Sequence, residues 1–149
     1  MQHYNRYLKQ TVEPYVGNGI TNDHTLIRAG EKLIGPKFAG VFASDQIPPP
    51  TTNPQYMIVN TDNHAGPGVH WTAICLSDGV AYFYDSFGRS ASSIMPSLPE
   101  YAQQHGLRLV APKNAPEQMI EQKDCGARCL AWLMVARRYG VRVAAKLIL

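Results

Sequence analysis

The chain has 149 residues, of which 45% are hydrophobic and 17% charged, and it carries a formal net charge of +3. That length fits one domain with a core large enough to need no metal or disulfide staples, and the apolar content excludes a disordered chain. The longest unbroken apolar run, Leu130 to Ala136, falls far short of the ~20 residues of a membrane span, and the opening MQHYNRYLKQ lacks the apolar stretch of a secretory signal.

In chain order, residues 1–20 read as an N-terminal arm, polar and irregular, with Pro14, Gly17 and Gly19. Thr21-Asn22-Asp23 is a helix N-cap signal. Leu26, Ile27, Ala29, Gly30, Leu33 and Ile34 follow at helical spacing until Gly35-Pro36 stops them. Residues 44–55 form a proline-rich surface loop. Tyr56 to Asn60 reads as a buried strand, His64 to Gly68 as a turn, and Val69 to Leu76 as a second strand. A three-residue turn, Ser77-Asp78-Gly79, returns the chain antiparallel as Val80 to Asp85. Residues 97–105 predict a short helix ended by Gly106, and Leu107 to Ala111 a further strand. The last strong element is a helix from Cys125 to Tyr139, closed by Gly140. Its apolar residues nearly surround it, so it should be buried. The expected class is α+β: a central mixed, mainly antiparallel sheet with helices packed on it, in a single domain spanning 1–149.

Three cysteines, Cys75, Cys125 and Cys129, are too few and too odd in number for a disulfide framework, and suit a reducing compartment. Charge is uneven. Residues 1–107 hold six Lys/Arg against eight Asp/Glu, and residues 108–149 hold eight against three. The basic C-terminal third reads either as a solvated helix face or as a surface that attracts nucleic acid.

Cys125 opens the buried helix, where free N–H groups and the helix dipole favour a thiolate. Gly126 beside it leaves room for another backbone, or a substrate, to approach. A nucleophilic cysteine needs a base, and His70, at a strand end after a Gly-Pro-Gly turn, is placed to face a cleft. The base needs an acceptor to orient it. The hairpin sets positions 70–71 roughly opposite 85–86, which brings Asp85 beside His70. An oxyanion needs the Cys125 N–H and a second donor, for which Gln118 and Gln122 are available in the preceding loop.

GVHW at 68–71, YFYDSFG at 82–88, and Gln118 followed by DCGARCLAW at 124–132 together resemble the adenain-like (adenovirus-type) maturation cysteine proteases. The order His, Asp, Gln, Cys also fits the clan that includes the SUMO-specific deconjugating proteases. The likeness runs from about residue 24 to 139 and takes in Leu33-Ile34-Gly35, Phe38, Gly40, Phe42, Asp45 and Pro48, read as a helix followed by a glycine/aromatic loop. It implies the adenain/SUMO-protease-like fold and a cysteine endopeptidase. His70 would be the general base, Asp85 its orienter, Cys125 the nucleophile and Gln118 the oxyanion donor, with Gln122 as competitor. Trp71 would pack beside the imidazole, and Trp71 and Gly126 would border substrate.

The resemblance further implies viral capsid and core precursors as substrates, cut near small residues such as glycine, by a monomer acting inside the host cell and in the virion. It requires no cofactor or metal and leaves DNA, through the basic C-terminal third, or a viral peptide as stimulators. Three alternatives stand beside it. One is a processing protease for ubiquitin-like proteins. Another is a metal or redox role for Cys125, Cys129 and His70. The third is a non-catalytic module binding nucleic acid or capsid.

Overall fold

The computed structural model describes residues 2–66, 68–110 and 123–147. The arm is helical rather than irregular: α1 (Gln2–Tyr7), a π-helical turn (Leu8–Val12) and α2 (Glu13–Val16) follow one another directly. Tyr4, Leu8 and Val12 recur every four residues, fall on one side and are buried on the later helix that begins at Cys125. Pro14 is accommodated in the first turn of α2, where a missing N–H costs little. Helix α3 (Asp23–Leu33) starts where the cap signal places it, with Asn22 Oδ1 accepting the Thr25 N–H at 2.9 Å. It ends at Gly35, whose φ of +99° suits a residue without Cβ.

Five strands follow: β1 (Phe38–Phe42), β2 (Gln55–Asn60), β3 (Trp71–Ser77), β4 (Val80–Tyr84) and β5 (Arg108–Val110). They form one sheet in the order β1-β2-β3-β4-β5. The β2–β3 and β3–β4 pairs are antiparallel, and the β1–β2 and β4–β5 pairs parallel. The sheet is therefore mixed, its two central pairings antiparallel and its two outer ones parallel. Its edge strand β1 occupies the stretch expected to be a glycine/aromatic loop. The β3–β4 turn has two residues, since Ser77 pairs with Val80. Asp78 and Gly79, both at positive φ, give the turn the twist that antiparallel strands favour.

The remaining helices are α4 (Ala91–Ile94), α5 (Ser97–Gln104), α6 (Cys125–Tyr139) and α7 (Val141–Leu147). Because successive strand residues face opposite ways, the sheet buries two cores. Tyr56, Ile58, Ala73, Cys75, Tyr82 and Tyr84 meet α6, α7, α3 and the arm. Met57, Val59, Ile74, Leu76 and Phe83 meet α4 and α5. Strands covered on both faces read as unbroken apolar runs, as β2 and β3 do. The protein is thus α+β, with helices on both sides of a five-stranded mixed sheet. Among the described residues no helix is long and apolar enough to cross a membrane.

Candidate active site

The site lies where three chain segments end together. β3 begins at Trp71 and antiparallel β4 ends at Tyr84, so His70 and Asp85 emerge at the same end of the sheet. Helix α6 packs against β3 with its first residue, Cys125, at that end. Continuing the ladder sets Asp85 against Thr72 and His70 against Phe87, two places off the expected register. The side chains still meet: His70 Nε2 is 2.5 Å from Asp85 Oδ1.

Asp85 is held from its other oxygen as well. Arg89 donates both its backbone N–H and its Nε–H to Asp85 Oδ2, each at 2.9 Å. Burial alone would push this carboxyl up, but the bonds from His70 and Arg89 outweigh it and bring the group down to about 2. Asp85 is therefore a fixed anion at neutral pH. Burial works against a charged imidazole at His70, yet the bonds to Asp85 and to the Cys125 sulfur win and raise its pKa. With Nε2 engaged by Asp85, the ring nitrogen left for the thiol is Nδ1. The Phe87 ring lies 5.2 Å from the imidazole, inclined at 40°, and the Arg89 guanidinium lies over that ring at 4.8 Å.

Cys125 is half-buried, and its sulfur accepts the Trp71 backbone N–H at 3.4 Å. Trp71 thus holds the sulfur with its main chain, and its indole N–H donates to the Thr21 carbonyl at 3.1 Å. The other two thiols are packed in the core. Cys75 and Cys129 are fully buried, and burial pushes the Cys75 thiol up to about 12.

These groups open on a cleft of about 860 Å³ lined by Ile20 to Asp23, the end of β1, the β2–β3 loop, Phe87, Lys123, His70, Trp71 and Cys125. The β2–β3 loop is tied down. His64 donates its backbone N–H to Asp45 Oδ1 at 2.9 Å, and its Nδ1 lies 2.5 Å from Asp45 Oδ2. The space that Gly126 leaves is filled by the chain itself. A Cβ there would lie 2.2 Å from Thr21 Oγ1 and 3.0 Å from Leu26 Cδ2. Gly126 is thus closely approached by the chain's own Thr21 and Leu26 side chains, and it is buried and outside the cleft lining.

The structure thus brings together His70, Asp85, Cys125 and Trp71. Gln118 and Gln122 lie outside the described residues. No family model matches the chain, and no curated protein matches it. Among the described residues no three His, Cys, Asp or Glu side chains converge as a metal-ion site. Sequence reasoning missed Arg89 and Phe87, and for Arg89 the spacing permits the bond without announcing it. An Arg four residues after the candidate Asp, across a Ser-Phe-Gly turn, can fold back onto its carboxylate.

Proposed function

We propose that this protein is a cysteine endopeptidase of the adenain-like type, using Cys125 as nucleophile, His70 as general base and acid, and Asp85 as its orienter. The observation that carries the reading is the convergence of a half-buried thiol, an imidazole and a buried carboxylate, in the order sulfur, His70, Asp85, with the first two lining the cleft. Asp85 at Nε2 leaves Nδ1 to take the thiol proton. The sulfur, steadied by the Trp71 N–H, attacks a peptide carbonyl. The oxyanion is received by the Cys125 N–H and, by resemblance, the Gln118 amide. His70 then gives its proton to the leaving amine, and a water activated by the same nitrogen hydrolyses the thioester. Substrates by resemblance are viral structural precursors cut beside glycine, within the host cell and virion.

The test is cleavage of peptides carrying glycine on both sides of a candidate bond, alongside a ubiquitin-like fusion. Wild type should cut the peptides, and Cys125→Ala should be folded and inactive. Activity that survives Cys125→Ala overturns the mechanism. Faster cutting of the ubiquitin-like fusion moves the substrate class to deconjugation.

A further inference from the structure

A buried polar chain joins the two residues that directly precede Asp85 and Cys125 in sequence. Tyr84 directly precedes Asp85, and Asp124 directly precedes Cys125. Tyr84 Oη lies 2.8 Å from Tyr4 Oη. Arg128 Nη1 donates to Tyr4 Oη at 3.5 Å, and Arg128 Nε donates to Asp124 Oδ1 at 3.0 Å. Exposure is 0% at Tyr84, 1% at Tyr4, 4% at Asp124 and 7% at Arg128. Desolvating an ion pair to this extent is costly where apolar packing would serve, so simple stability is a weak account of it.

The geometry at Asp124 suggests what the ion pair does. Asp124 is the N-cap of α6, where an Asp side chain ordinarily accepts the N–H groups of the first turn. Here it makes no such bond. Arg128, one turn along, draws the carboxylate away, and the first-turn N–H groups of α6 stay clear of a competing anion. Arg128 is in turn met by the hydroxyl of Tyr4, a residue of the arm. The helical part of the arm, residues 2–16, stays out of the cleft, whose lining begins at Ile20.

We propose that Tyr4 and Arg128 are positioning residues, through which the N-terminal arm holds Asp124 off the start of α6 and keeps the Cys125 turn open for attack. This rests on the protease reading above. The arm is then a built-in activator, and displacing it slows the enzyme without blocking substrate.

The experiment measures kcat and KM for peptide cleavage, and separately the rate at which iodoacetamide alkylates Cys125, read by peptide mass. Tyr4→Phe keeps the ring and loses only the hydroxyl; kcat and alkylation should fall ~3–10-fold with KM unchanged, and Arg128→Met should cost ~10²-fold, the scale of a misplaced catalytic group. Arg128→Lys should restore most of the loss, and Asp124→Ala added to Arg128→Met should regain part of it by removing the competing carboxylate. If Arg128→Met does not fold, Tyr4→Phe and Arg128→Lys decide the matter. Wild-type kcat and alkylation in Tyr4→Phe overturn the device, as does a loss that appears in KM or that Lys fails to repair. If wild-type Cys125 alkylates no faster than in the urea-unfolded chain and cuts no peptide, the protease reading fails and the device falls with it. Active wild type with unaffected variants removes the device alone.

Discussion

Replacing Asp85 by Asn keeps the shape of the side chain and removes its charge, and Arg89 makes the outcome unusually specific. Arg89 presents two N–H donors to Asp85 Oδ2, so the Asn carbonyl must turn towards Arg89. The amide NH₂ then faces His70 Nε2 and donates to it. That forces the imidazole proton onto Nδ1, the nitrogen that has to accept the thiol proton. The opposite orientation would set an NH₂ against the Arg89 donors and is disfavoured. A wrongly protonated base of this kind costs ~10⁴-fold in kcat.

Stability should fall too. Asp85 sits at about 2 against an ordinary 3.8, a gap worth about 2 kcal/mol at neutral pH. Because the folded pKa is the lower one, that contribution is present above pH 3.8 and disappears as pH falls through about 2. The assays are kcat/KM on a glycine-flanked peptide at pH 7 and Tm as a function of pH. Asp85→Asn should melt about 5–8 °C below wild type at pH 7, with the gap closing towards pH 2. A variant with more than a tenth of wild-type kcat/KM refutes the tautomer argument, and a gap that stays constant with pH refutes the electrostatic one.

The raised pKa of His70 predicts that the alkaline limb of kcat/KM, where the imidazolium loses its proton, lies above pH 6.5 and moves down in Arg89→Ala, which loosens Asp85; a pH–rate profile reads both. By the same linkage, the stability that His70 gains from its partners is complete below pH 6.5 and is lost as pH rises through its raised folded value. Gly126→Ala drives a methyl group into Thr21 and Leu26 and should cost ~1–3 kcal/mol, read as a lower Tm; an unchanged melt would mean that the Thr21 wall yields freely. Gln118→Ala should slow turnover ~10²–10³-fold as a lost oxyanion donor, and Gln122→Ala should leave kcat near wild type; the reverse result reassigns the glutamine.

How far the sequence disclosed this arrangement depends on where each element gets its stability. β2, β3 and α6 are buried on nearly every side, so their residue types alone announce them. The hairpin announces itself through Asp78-Gly79, a pair suited to positive φ. The arm hid a real pattern, Tyr4, Leu8 and Val12, behind polar residues and Pro14. Its helical form comes from docking on α6, since short helices gain most of their stability from tertiary packing. β1 failed to read as a strand because Gly40, at a positive φ, breaks its pattern where its register with β2 slips. The site follows the same rule. His70, Asp85 and Cys125 were visible because each stands at the end of a legible element, and the ends of neighbouring strands and of the helix packed on them must share one rim. Arg89 and Arg128 were not, because each acts on a carboxylate four positions back, one across a turn and one up a helix. Such pairs are common on ordinary surfaces. What distinguishes these two is burial of the carboxylate, a property of the packed chain that a spacing of four cannot reveal.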